Sequence, residues 1–254
     1  MLFSIITVSY NSQDTIRAAI ESVLGQSYAD IEYLIIDNCS TDATLDIAKG
    51  YQDKRIKIVS EKDNGMYHAL NRGIKLATGE VVAFLHSDDT YYDKNVIKKI
   101  AEVFTHNPQT ESCYGNLIYV NRKDNNKIIR FWMAGKFNYS LLASGWMVPH
   151  PTFCVRKRVY DKYGLFNLDF KIASDYEIIL RFLYKYRIST YYIDETLIKM
   201  NLGGNSNRDL WHLFIKSYED YKIMRIYGIS PLALIKKNLT KASQFYKKPG
   251  SVNK

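Results

Sequence analysis

Val81-Val82-Ala83-Phe84-Leu85-His86-Ser87-Asp88-Asp89 runs from a block of strand-forming residues straight into two adjacent carboxylates. Aspartate is a poor strand former, so a strand through Val81–Leu85 must stop there. In an open α/β sheet, ligands bind at the carboxyl ends of the strands. Two carboxylates at such an end suit a divalent cation that bridges nucleotide phosphates. Ser87-Asp88-Asp89 is equally good turn chemistry. The segment alone leaves both readings open.

The residues upstream decide between them. Phe3–Val8, Ile31–Ile36 and Ile56–Val59 are short Ile- and Val-rich runs that read as buried strands. Each is followed by a polar break and then by apolar residues at helical spacing. Asn11 or Ser12 caps the first helix, which carries Ile16, Ala19, Ile20, Val23 and Leu24. Asp37-Asn38-Cys39-Ser40-Thr41-Asp42 precedes the second helix, and Asp63-Asn64-Gly65 the third. This β-α-β-α-β-α-β order implies an α/β fold with a mostly parallel sheet flanked by helices. Every polar cluster follows a strand, so all gather on one edge of the sheet. Beyond residue 90 the pattern loosens. A helix is expected over Val96–Phe104, strands over Cys113–Val120 and Lys127–Trp132, an extended segment over Trp146–Thr152 and a helix over Ser174–Tyr184.

The chain has 254 residues, 46% of them apolar, which is ordinary for a globular protein. Lysine and arginine exceed aspartate and glutamate by 35 to 26, and the net charge of +9 favours anionic partners. Cys39, Cys113 and Cys154 are widely spaced, which argues against a disulfide framework or zinc site and for a reduced, cytoplasmic setting. Met1–Val8 lacks a basic leader and a cleavage site, and no uncharged apolar run reaches the roughly 18 residues of a spanning helix. A protein that does not cross a membrane is expected. The turn after the first strand, Tyr10-Asn11-Ser12-Gln13, is neither a Gly-rich nucleotidyltransferase loop nor a GxGxxG dinucleotide turn. Net charge alone would suit a nucleic-acid-binding module, but no such motif is present and the acidic clusters oppose it.

Taken in order, these motifs resemble the inverting family 2 glycosyltransferases of the GT-A fold. The resemblance covers roughly residues 2–207 and rests on Ile6–Asn11, Ile36–Asp42, Glu61–Gly65, Asn71-Arg72-Gly73, His86–Asp89, Gly164-Leu165-Phe166 and Ala173–Tyr176. It looks most like bacterial members that build surface polysaccharides such as O-antigen. It implies a nucleotide-sugar half over about 1–110, an acceptor half over about 111–207 and a C-terminal helical extension from 208. The resemblance assigns Thr7, Ser9, Tyr10 and Asp37 to the base and ribose of a UDP donor. Ser40, with Asp42, reads equally as loop-shaping or as a helix cap. Asp63, Asn64, Gly65 and Asn71 border ribose and diphosphate. His86-Ser87-Asp88 occupies the acidic metal motif, with Asp88 as the contact for Mn2+ or Mg2+ and Asp89 orienting ribose or sugar. His86 stands where a carboxylate is usual, and contacts the nucleotide or simply packs.

Asp175 matches the catalytic base, with Ser174 where glutamate is common. An aspartate there also stabilises a helix N-terminus. His150 and Trp146 are placed on the acceptor side, although a lone histidine is often structural. The implied partners are a nucleotide sugar and a glycan or undecaprenyl-type lipid-linked acceptor. The departures at His86 and Ser174 leave room for an inactive nucleotide-sugar-binding scaffold.

The tail carries its own pattern. Leu232, Ile235, Leu239, Ala242 and Tyr246 share one helical face, with Lys236, Lys237, Lys241, Lys247 and Lys248 opposite. A basic amphipathic tail over 208–254 suits peripheral contact with an anionic membrane, and equally a helix packed on the domain with a solvated basic face.

Overall fold

The computed structural model describes residues 1–121, 124–202 and 210–243. β1 (Phe3–Ser9), β2 (Ile31–Asp37), β3 (Ile56–Ser60) and β4 (Val81–Phe84) pair in parallel in the order β3-β2-β1-β4. Their side chains alternate between two cores, as the period of a strand requires. Phe3, Ile5, Tyr33, Ile35, Val81 and Ala83 face α1 (Ile16–Leu24) and α4 (Val96–His106). Ile6, Leu34, Ile36, Val82 and Phe84 face α3 (Met66–Leu76) and α7 (Ser174–Ile179). Both faces are covered, which explains why these strands read as continuous apolar runs. Gly73 of α3 lies against β1, where a Cβ would meet Ile6 at 2.6 Å. The glycine of that motif serves close helix–sheet packing. α2 (Thr44–Lys49) follows β2.

The rest of the sheet is mixed. β8 (Cys154–Arg156) pairs antiparallel with β4 and with β6 (Ser112–Asn121). β9 (Thr190–Leu202) runs parallel to β6 and antiparallel to the short β5 (Thr90–Tyr91). β7 (Asp124–Trp132) forms an outer hairpin strand on β6. α5 (Tyr139–Ala143) and α6 (Lys157–Tyr163) complete this half. The expected helix over Ser174–Tyr184 is present, but its second part, Leu180–Lys185, is a π-helical turn. Tyr176, Ile179, Leu180 and Leu183 are buried as the spacing predicts. The segment expected to be extended closes into a 3-10 turn at His150–Thr152, because proline suits the first positions of a helical turn. The loop at Gly203–Asn207 lies outside the described residues.

α8 (Leu210–Ile226) and α9 (Leu232–Ser243) close the chain. Over its described part the tail departs from the expected faces at three residues, while Lys236 is exposed as expected. Lys237, placed on the solvated face by the sequence, is 3% exposed and pairs with Asp220 at 2.8 Å. Its ammonium also sits over the Tyr176 ring. Leu232 and Ile235, placed on the apolar side, are exposed. The reason is local: a buried carboxylate on α8 needs a cation, and pairing it outweighs burial of two aliphatic side chains. Among the described residues, no helix is long and apolar enough to cross a membrane.

Candidate functional site

The carboxyl ends of β1, β2 and β4 meet at one edge, and the loops that follow them are sewn together. Thr41 N–H donates to Asn11 Oδ1 at 2.9 Å, and Asn11 N–H donates to Ser40 Oγ at 2.9 Å. Gln13 N–H donates to Asp42, while Ala43 N–H donates to Gln13 Oε1. Asn11 and Cys39 adopt φ of 46° and 50°, the left-handed region that asparagine tolerates. Asp37, fully buried at the end of β2, anchors the arrangement. It accepts from Ser9 Oγ (3.1 Å), Ser40 Oγ, Ser40 N (2.9 Å) and Ser60 Oγ (2.8 Å). Every acceptor position of this carboxylate is already engaged. Tyr10 projects from the same loop and is exposed.

Two residues assigned to the donor have other work. Thr7 is buried, and its hydroxyl donates to Leu85 O at 2.6 Å and meets Tyr33 Oη at 3.0 Å. It ties β1 to the entrance of the acidic turn. Asn71 is buried and grips the peptide groups of Phe166 with both amide atoms, each at 2.9 Å, which gives it a structural role. Asp63 accepts from Gly65 N–H and its own N–H donates to Asn38, which shapes the exposed Asn64-Gly65 turn.

The acidic turn is held at several points. Asp89 N–H donates to His86 O, Ser87 Oγ meets Ser12 Oγ at 3.0 Å, and Asn201 of β9 donates to Asp88 O. Asp89 is 1% exposed, and neither carboxylate oxygen has a hydrogen-bond partner among the described residues. Burial and then the neighbouring Asp88 push its pKa well above the usual carboxylate range. Half-buried Asp88 has no hydrogen bond to its carboxylate among the described residues. Orphaned carboxylates of this kind fit a cation. No cluster of three protein ligands exists among the described residues. A cation here would be held by one or two carboxylates together with substrate phosphates.

Asp175 sits at the start of α7, and its neighbours fix its position. Tyr67 Oη accepts the Asp175 N–H (3.3 Å), lies 3.4 Å from Asp175 Oδ1 and donates to Ile172 O at 2.8 Å. Glu219 of α8 accepts the successive N–H groups of Lys171, Ile172 and Ala173 at 2.9, 2.9 and 2.8 Å. Burial raises the Asp175 pKa, but Lys216 and then His150, Lys237 and the Tyr176 N–H outweigh it and hold the carboxyl below its ordinary range. His150 stacks on Phe84 (5.5 Å) and meets the edge of Phe166 (5.5 Å), with its buried Nε2 unpartnered. Burial lowers its pKa to about 4. His86 lies 6.4 Å from His150 and feels the charges of Asp88 and Asp175, although burial lowers its pKa overall. The acidic turn and the Asp175 loop therefore face one another. Trp146 stands in an aromatic cluster with Tyr114 and Phe137.

Sequence reasoning missed Tyr67, Lys216, Glu219 and Asn201. Tyr67 is one of many tyrosines, and nothing in its sequence neighbourhood sets it apart. Lys216 and Glu219 lie on a helix whose buried face is charged, so no apolar periodicity marks it.

Residues 4–164 match the family profile described as glycosyl transferase family 2. A PGL/p-HBAD biosynthesis glycosyltransferase of Mycobacterium bovis is 29% identical over 219 residues, covering 85% of this chain and 83% of that protein. An uncharacterized glycosyltransferase of Mycobacterium tuberculosis is 31% identical over 186 residues, covering 70% and 67%. Among solved structures, residues 1–349 of Staphylococcus aureus TarS match with a TM-score of 0.69 at 23% identity, over 90% of this chain. This chain spans 65% of that one. The same fragment is solved with UDP-GlcNAc. A mannosyltransferase of Pyrobaculum calidifontis, solved with GDP-Man and Mn2+, matches with a TM-score of 0.64 at 14% identity, covering 97% of this chain and 76% of that one.

Proposed function

Because this chain belongs to glycosyl transferase family 2, and is thereby a transferase enzyme, we propose that it moves a sugar from a UDP-sugar to an acceptor hydroxyl with inversion. The acceptor is a glycan or an undecaprenyl-type lipid-linked glycan of bacterial surface polysaccharide synthesis, such as O-antigen, capsule or exopolysaccharide. The enzyme works in the cytoplasm, peripheral to the inner face of the membrane. One observation carries the reading: a carboxylate held ionised, Asp175, faces a turn whose Asp88 and Asp89 carboxylates have no hydrogen-bond partner among the described residues.

The chemistry follows from that opposition. An alcohol is a poor nucleophile until it loses its proton. Asp175, ionised at neutral pH, accepts that proton as the hydroxyl attacks. A single displacement inverts the anomeric centre and needs no second carboxylate nucleophile. Mn2+ or Mg2+ on Asp88 would offset the charge developing on the leaving diphosphate. Exposed Tyr10 offers a ring for the base, and Asp37 sets the loop beside it.

Thermal unfolding with UDP, GDP, CMP or dTDP, each with and without Mn2+, tests the donor reading. A Mn2+-dependent rise in Tm with UDP is expected, because a ligand that binds only the folded state stabilises it. No rise with any nucleotide would defeat it. Asp175→Asn should abolish transfer and keep the UDP-dependent rise. Loss of both would make Asp175 structural.

A further inference from the structure

Helix α8 buries charged groups beside its apolar contacts. Toward the protein it turns Ile223 and Met224, which join the core, and Lys216, Glu219 and Asp220, which serve the Asp175 loop and the α9 ion pair. Toward solvent it turns Trp211, Phe214, Tyr218 and Tyr221, spaced three and four residues apart as one helical stripe requires. Trp211 is 67% exposed and Phe214 64%, and their rings stack 5.8 Å apart. Lys222 and Arg225 lie within the stripe, with Lys222 over the Tyr218 ring at 4.9 Å. On α9, Leu232 and Ile235 are 70% and 59% exposed beside the exposed Lys236.

Leaving several large rings in water is unfavourable at roughly 25 cal/mol per Å² of apolar surface. Something must cover them. The face carries aromatic residues and cations, with no carboxylate among the stripe positions. Tryptophan and tyrosine interleaved with lysine and arginine is the composition of a helix lying in the lipid interface. Protein–protein interfaces are depleted in lysine, and a second copy would bring Lys222 and Arg225 against themselves.

We propose that the outward face of α8, with Leu232 and Ile235 of α9, docks the protein on an anionic lipid bilayer. This deepens the membrane contact in the functional reading by naming its surface, and it stands on α8 without reference to the donor. The rings enter the headgroup layer, and Lys222 and Arg225 pair with lipid phosphates. The helix that touches lipid is also the one whose Glu219 holds the catalytic loop. Docking therefore fixes the direction in which Asp175 faces a lipid-borne hydroxyl.

Co-sedimentation of the full chain with vesicles, in the absence of nucleotide, tests this separately from donor binding. The vesicles are phosphatidylcholine alone, or phosphatidylcholine mixed with phosphatidylglycerol. Binding only to the mixed vesicles, weakened by salt, is expected. The double variant Trp211→Ser, Phe214→Ser should lose about tenfold or more in affinity while keeping its Tm, since both side chains are in solvent. Arg225→Glu should weaken binding independently. Failure of the wild type to bind, or undiminished binding by the double variant, overturns the proposal. So does a concentration-dependent dimer that the double variant dissolves, because the face then joins two copies.

Discussion

Asn71 shows how a motif position can be right in place and different in purpose. Its side chain reads as a donor contact by resemblance, yet both amide atoms hold Phe166, whose ring stacks on Tyr67 at 5.4 Å and meets His150. Tyr67 in turn bonds the Asp175 backbone. Asn71 thus acts on the base through two intervening rings. Asn71→Ala leaves a buried N–H and C=O unpaired and should cost about 3 kcal/mol of stability. Urea unfolding checks the cost, and UDP titration should give an unchanged affinity. Full stability with lost UDP affinity would return Asn71 to the donor site. Thr7 and Asp37 carry the same lesson: residue type and spacing identify the site, but side-chain direction belongs to the packed structure.

At the level of elements, the helices that precede the acidic turn were legible because an apolar stripe follows each polar loop, although the first starts behind Thr15 with no side-chain cap rather than at Asn11 or Ser12. The short β5 and β8, with two and three residues, carry no period long enough to read. β9 was missed because Asp194 and Glu195 interrupt its apolar pattern near register shifts against β6. α8 was obscured because Lys216, Glu219 and Asp220 share its inward side with Ile223 and Met224. Those charges matter for the reaction. Lys216→Met removes the strongest influence holding Asp175 ionised against burial, so the Asp175 pKa should rise. The acid limb of the kcat/KM profile should then move to higher pH, as measured on a soluble acceptor. An unmoved limb would show that Lys216 does not reach the base.

For the whole molecule, the buried histidine sets a response to acid. His150 is neutral in the folded state down to about pH 4, against an ordinary value of 6.5 when unfolded. Between those values the unfolded chain binds the extra proton, so stability falls as pH drops through the window. The shift corresponds to about 3 kcal/mol. His150→Phe, which keeps the stack between Phe84 and Phe166, should flatten the decline of Tm from pH 6.5 to 4. An equally steep decline would place the acid sensitivity elsewhere.

The turn that carries Asp88 and Asp89 leaves β4 in the parallel half and enters β5, which pairs with β9 in the mixed half. Asn201 of β9 grips it at the midpoint. It therefore behaves like a tie rod fastened at both abutments of one continuous sheet. Whatever settles on its carboxylates rests on both parts of that sheet at once, at the point where the phosphates would sit.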